Sequence, residues 1–326
     1  MASARQCSVR KNPFVRHDNT LLISPRTMSV DFQRIRGHLA FLAKSPRPAG
    51  SAPLNQARDY VAHHFESAGW TIERYRFTAV DERGASLAGE NIIARRSETE
   101  FADPDLPVLC VGAHVDSRPD SPGADDNASA VATLLEIARL LPTDWPERPQ
   151  LRIELAGFDL EENGMLGGAE HARRCRVDGV NLAGLISLEM LGYCNHSPNS
   201  QQLPRTLQGM YPTTGNFIAV VGNQRSQALI DGTAAGLRMS PELPVETLAV
   251  AGDGELLQAS RLSDHSPFWD AGYAALMITD TSFLRNPYYH TPQDTPETLD
   301  DEFLHKVAAG CYHAVKHLIA SGVHAR

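Results

Sequence analysis

The sequence has no apolar stretch near the ~18 residues that a membrane-spanning helix needs, which excludes an integral helical membrane protein. It is poor in cysteine. Cys7, Cys110, Cys175, Cys194 and Cys311 are five in number, scattered, and never in a C-x-x-C pair. Such a set builds neither a disulfide framework nor a thiolate zinc knot, and Cys110 and Cys311, lying in apolar runs, read as small core residues. Basic residues are in deficit: 30 Lys and Arg against 39 Asp and Glu leave a formal charge of -9. That balance argues against nucleic acid or an anionic membrane as partner. The first 27 residues carry Arg5, Arg10, Lys11 and Arg16, and the run Leu21-Leu22-Ile23 falls short of the ~7–15 residues of a signal-peptide core. Residues 1–27 are therefore expected to be a disordered extension, residues 28–326 a single domain, and the chain to be cytoplasmic.

What is present is ordinary globular usage, 42% hydrophobic and 21% charged over 326 residues, enough for a sizeable core. Helical spacing runs through 31–72, broken by Arg47-Pro48-Ala49-Gly50-Ser51 and ended at Gly69. Strands are expected at 71–77 and 91–94, and Val108-Leu109-Cys110-Val111-Gly112 reads as a strand buried on both faces. Helices at 129–141, 167–175, 226–238, 264–271 and 300–320 then alternate with strands at 151–158, 184–188, 217–221 and 274–279. Residues 196–215, rich in Pro, Ser, Asn and Gln, lack periodicity and read as a loop over the site. Alternation of this kind predicts an α/β fold: one domain with a mostly parallel central sheet and helices on both faces. Such folds carry their chemistry at the carboxyl ends of the strands.

Those ends are unusually rich in metal-binding types. Strand 108–112 leads into Ala113-His114-Val115-Asp116-Ser117, strand 151–158 into Asp159-Leu160-Glu161-Glu162, strand 184–188 into Glu189, and strand 274–279 by a loop into Tyr289-His290. A further acidic group, Asp125-Asp126-Asn127, lies between the first strand and its helix. Each piece alone is weak: a strand-end histidine is commonly structural, and Asp125 to Asn127 could simply cap a helix. Together they would repel strongly without a cation. Imidazole and carboxylate without thiolate suit zinc, with cobalt or manganese as substitutes. Against two dications, Asp126, Glu162 and Glu189 supply three charges while His114 and His290 are neutral, leaving one for a hydroxide. Of the adjacent glutamates one can bind metal while the other acts as general base. Asp116, two residues beyond His114, can accept the imidazole's other N–H.

His114-x-Asp116, Gly123-Ala124-Asp125-Asp126-Asn127-Ala128-Ser129, Glu161-Glu162-x-Gly164 and Tyr289-His290-Thr291 with Asp294-Thr295 resemble the M28 family of zinc aminopeptidases. Arg47-x-x-Gly50-Ser51 and Ser263-Asp264-His265 look like its flanking signatures, so the likeness spans about residues 35–320. The resemblance implies a zinc-exopeptidase architecture, a catalytic domain at 28–326 and two zinc ions. It implies His114 and Glu189 on one ion, Glu162 and His290 on the other, Asp126 bridging, and Glu161 as catalytic base. Tyr289 matches a tyrosine that supports the oxyanion in some members, and Asp125 shapes its loop. Glu189 stands where many members have aspartate. The implied substrate is a peptide with a free amino terminus. Two rivals share the fold. A glutaminyl cyclase-like enzyme uses one zinc but usually carries tryptophan where Tyr289 stands. A carboxypeptidase or dipeptidase needs a basic group for the substrate carboxylate, for which Arg205, Arg225 and Arg285 are candidates. Asp264 is expected to cap the helix that starts at His265.

Overall fold

Two short helices open the computed structural model, which describes Met1 and residues 29–96 and 103–324. The extension expected at residues 1–27 lies, apart from Met1, outside the described residues. Asp31 accepts the Gln33 N–H to start α1 (Phe32–Leu42), whose Ile35, Leu39 and Leu42 are buried. Ser51 accepts the Leu54 N–H to start α2 (Ala52–Ser67). Gly69, at φ 86, turns the chain into β1.

Eight strands form one sheet: β1 (Thr71–Val80), β2 (Ser86–Arg95), β3 (Val108–His114), β4 (Arg152–Phe158), β5 (Leu182–Glu189), β6 (Ile218–Asn223), β7 (Val245–Val250) and β8 (Ala275–Thr279). Their order is β1-β2-β4-β3-β5-β8-β6-β7. The sheet is mixed. Pairings β4/β3, β3/β5, β5/β8 and β6/β7 are parallel, while β1/β2, β2/β4 and β6/β8 are antiparallel. The parallel prediction therefore holds for the centre, and the reversals lie toward the edges. β2 is longer than the expected 91–94 because it pairs along its whole length with β1, and β7 was not anticipated. Its partly buried residues show no clean alternation.

Alternate strand residues face two helical layers. Leu109, Val111 and Ala113 of β3 join a large core with α1, α2, α3 (Ala130–Leu140), α5 (Gln227–Leu237) and α7 (Asp301–Ser321). Cys110 points the other way, with Ala156 and Phe158, toward Ala172 of α4 (Leu166–Val177) and Phe268 and Trp269 of α6 (His265–Asp270). β4, β3, β5 and β8 thus lie side by side, parallel, with four carboxyl ends at one edge. No helix among the described residues is long and apolar enough to cross a membrane.

Candidate metal centre

His114 is the last residue of β3, Glu189 the last of β5, and Glu161-Glu162 follow β4 after Asp159 and Leu160. His290 arrives on the loop after β8 and has φ 58. The segment after β3 is shaped from several sides. Gly123, at φ 64, leaves room that a Cβ would fill, since it would run into the Asp126 carbonyl. The buried Arg47 guanidinium donates to the carbonyls of Val115 (2.9 Å), Pro122 (2.7 Å) and Gly123 (3.2 Å), and also to Leu42. Asp294 accepts the N–H groups of Asp125 at 2.8 Å and Asp126 at 3.1 Å, one on each oxygen.

The same segment holds the end of β5. Asn127 donates to the Leu188 carbonyl (3.0 Å) and accepts the Met190 N–H (3.0 Å), one residue on either side of Glu189. The Ser129 hydroxyl accepts from Leu191 N–H (3.0 Å) and Asp125 from Gly192 N–H (2.9 Å). Asn286 also donates to Asp125 (2.7 Å), so Asp125 shapes the loop, as expected. Ser263 donates to Glu189 Oε2 at 2.8 Å. The tandem glutamates are set by Asp116, whose two oxygens accept the Glu161 and Glu162 N–H groups at 3.1 Å each.

Two donor clusters result: His114, Asp126 and Glu189, and Asp126, Glu162 and His290. His114 Nε2 lies 3.2 Å from Asp126 Oδ1 and 3.5 Å from Glu189 Oε2. His290 Nε2 lies 3.1 Å from Asp126 Oδ2 and 3.3 Å from Glu162 Oε2. Glu161 stands back, its nearest oxygen 3.9 Å from His114 Nε2. Burial would lower both imidazoles, yet the surrounding carboxylates outweigh it: His114 is raised well above its ordinary value and His290 to about 9. Burial pushes Glu162 up to about 7, helped by Asp126, and pushes Glu161 well above the carboxylate range, helped by Glu189 and Glu162 against His114. These shifts favour the protonated forms of both imidazoles and both glutamates, the response of crowded donors whose charge a cation would balance instead. His114 Nδ1 and Nε2 and Glu162 Oε1 are buried with no hydrogen bond of good geometry. The nitrogen and oxygen donors fit zinc-type dications. Tyr289 stacks on His290 (centroids 3.7 Å apart, planes at 21°), and burial together with Asp126, Glu161, Glu189 and Glu162 raises its phenol strongly.

All eight sequence-predicted residues therefore meet at one sheet edge. Asp116 does more than expected: His114 Nδ1 is 3.4 Å away, and its better bonds are to the glutamate amides. One expectation is corrected. Asp264 precedes α6 but accepts no capping bond. Its carboxylate is wholly buried with no hydrogen bond of good geometry, close against Gly168, and burial pushes it up to about 8, with Asp116 and Glu189 adding to the rise and His114 and the Gly168 N–H opposing. Ser263 and Asp294 stood in quoted motifs, but their contacts were not legible there. Arg118 had no signal beyond its place four residues after His114.

Two features flank the site. Beyond Glu189 lies an apolar cavity of about 100 Å³, lined by Leu203, Leu207, Phe217, Ala219, Val221 and Met277 among others. Gln201, Pro204 and Tyr211, with Leu203 and Leu207, bring the 196–215 segment into its lining. Beyond Glu162 lies Arg118, whose Nη1 donates to the Glu162 carbonyl at 3.2 Å. Of the three candidate arginines, Arg285 is buried and bonds Gln201 (2.9 Å) and the Phe217 carbonyl (2.8 Å). Arg225 bonds the Trp269 carbonyl (3.2 Å), and Arg205 is exposed on the loop.

Known proteins similar to this chain bear on its family and fold. YfbL of Escherichia coli K12 is 33% identical over 90% of this chain and 89% of its own length. Aminopeptidase YwaD of Bacillus subtilis is 27% identical over 70% of this chain but 45% of its own, and this chain likewise spans about half the length of several fungal probable zinc metalloproteases. The structure of BSAP, a zinc aminopeptidase from Bacillus subtilis, superposes with TM-score 0.71 at 16% identity, covering 92% of this chain and 98% of that one. A Porphyromonas gingivalis glutaminyl cyclase shares the fold at TM-score 0.63 and 20% identity, over 88% and 97% of the two chains. The profile of Peptidase family M28 matches residues 91–315, and with it the chain belongs to that family and is a hydrolase acting on peptide bonds.

Proposed function

We propose that this chain is a two-zinc aminopeptidase that removes residues from a free amino terminus. The observation that carries this reading is the placement of Asp126. Its two oxygens face two different imidazoles, His114 at 3.2 Å and His290 at 3.1 Å, each with its own glutamate. One carboxylate shared between two donor sets is what a bridged pair of cations needs. His114 and Glu189 would hold one zinc, Glu162 and His290 the other, with Asp126 on both. Bound there, the zinc ions supply Lewis acidity, polarising the scissile carbonyl and making water acidic near neutral pH.

The remaining steps belong to the chain's own groups. Glu161, next to Glu162 but apart from His290, takes the proton of the attacking water and delivers it to the leaving amine. Asp116 holds both glutamates in register through their amides. The Tyr289 hydroxyl, stacked in place on His290, donates to the carbonyl oxygen as charge develops there. Glu189 and Glu161 receive the substrate's amino group, and the cavity beyond Glu189 receives an apolar first side chain. Acetylation of that amine removes its charge and leaves a buried carboxylate unpaired, at a cost of about 1–3 kcal/mol.

The test measures zinc per chain alongside turnover of leucyl-anilide and its acetylated form. Two zinc ions and at least ~10-fold preference for the free amine are expected. Equal turnover of both would mean an endopeptidase or other amidohydrolase. Full activity with one ion would point to the single-zinc, cyclase-like arrangement.

A further inference from the structure

Arg118 leaves β3 on the loop that carries Asp116, and its guanidinium reaches Glu162 at the edge of the centre. Nη1 donates to the Glu162 carbonyl at 3.2 Å. Nε is 3.8 Å from the Glu162 carboxylate, a distance for attraction but not for a hydrogen bond. The side chain is 40% exposed, and its Nη2 makes no hydrogen bond among the described residues. This differs from Arg47, which is buried and occupied by four carbonyls, and from Arg285, wedged between Gln201 and Phe217.

The arrangement has a direction. The apolar cavity adjoins Glu189, Asp126 lies between the two donor sets, and Arg118 adjoins Glu162. A peptide whose first side chain enters the cavity has its scissile carbonyl over the centre. Its next residue then runs toward Arg118, since one residue advances the chain by about 3.5 Å. In the bare site Glu162 partly balances the guanidinium. Once that carboxylate serves a cation, the guanidinium is left as an accessible charge with a planar fork that matches a carboxylate.

We infer that Arg118 binds a carboxylate carried by the residue just after the scissile bond. The inference rests on the aminopeptidase reading above and names its substrate class: dipeptides, through their terminal carboxylate, or peptides with Asp or Glu in second place. The two sources share one chemistry and are separable by experiment.

The experiment compares kcat/KM for Leu-Gly with Leu-Gly amide, and for Leu-Asp amide with Leu-Asn amide, in the zinc-loaded full-length protein and in Arg118→Gln and Arg118→Lys. At least one acid-over-amide ratio should be about 10 or more, the order expected for a charge-assisted pair. It should fall below ~3 in Arg118→Gln and recover in part in Arg118→Lys. A preference in the first pair alone identifies the terminal carboxylate, and one in the second pair an acidic side chain. Because each ratio is taken within one protein preparation, partial misfolding of a variant cancels. Calorimetric binding of the reduced-bond analogue of Leu-Gly and of its amide should give the same ratios without turnover. Ratios near one in the parent protein, or ratios that Arg118→Gln leaves intact, would overturn the inference. Loss of the aminopeptidase reading itself would show separately, as failure to hydrolyse leucyl-anilide.

Discussion

Replacing Asp116 with asparagine changes one oxygen to an amino group and removes a charge, with almost no change in volume. In the parent protein the two oxygens receive the Glu161 and Glu162 N–H groups at 3.1 Å each, and the carboxylate is fully buried. An amide can accept only one of these bonds, and its own N–H₂ must face the other donor. Losing one hydrogen bond to a charged acceptor, about 1.5–3 kcal/mol, while leaving a partly buried N–H opposed by another donor, gives a total near 2–3 kcal/mol. The strain falls on Glu161 and Glu162, so Glu161 loses its alignment for proton transfer. If the whole amount is expressed in the transition state, kcat falls roughly 30- to 150-fold. None of His114, Asp126, Glu162, Glu189 or His290 is replaced, so zinc content at saturating zinc should stay at the parent level. Steady-state kinetics with leucyl-anilide, elemental analysis and a thermal melt on the same preparations give the three readouts. A kcat within threefold of the parent, with metal retained, would refute the idea that Asp116 acts through the glutamate amides.

The tandem glutamates should separate by readout: Glu161→Gln lowers kcat by at least ~100-fold with metal retained, whereas Glu162→Gln lowers zinc affinity, and equal metal loss in both would reverse the assignment. Tyr289→Phe should lower kcat by roughly 10- to 1,000-fold with a smaller change in KM; an unchanged kcat would reduce Tyr289 to a stacking partner of His290. Away from the centre, burial opposes the charge of Glu154, but His171 at 2.7 Å and Arg95 prevail and lower its carboxyl from 4.5 to about 2. A carboxylate depressed on folding stabilises fully above its unfolded value. That contribution, about 3 kcal/mol at ~1.4 kcal/mol per unit, fades as pH falls from 4.5 toward 2. Urea unfolding across that range should be flatter for Glu154→Gln than for the parent, and parallel acid limbs would show the pair contributes nothing.

The residue types and order of this chain already determined where chemistry could reside. Strand periodicity placed His114, Glu189 and the Glu161-Glu162 pair at strand ends, because a buried parallel strand is a continuous apolar run and the first polar residues after it mark its exit. Local capping rules hold at Ser51, which accepts the Leu54 N–H in the structure. Those rules failed at Asp264, which has a capping residue's place in sequence but lies buried beside Gly168. They were silent on β7 and on the antiparallel pairings β1/β2, β2/β4 and β6/β8, since strand direction depends on which neighbour the chain finds. Only the tertiary structure decided which side chains meet. Asp126 and Asp294 are 168 residues apart, yet joined by a 3.1 Å bond. Asp116 reaches two amides 45 and 46 residues onward. Arg118 was an unremarked arginine until β4 packed beside β3 and brought Glu162 to it. Periodicity encodes which face of an element is buried, whereas pairing across such distances depends on the sheet order, and that order is settled by the packing of the whole core.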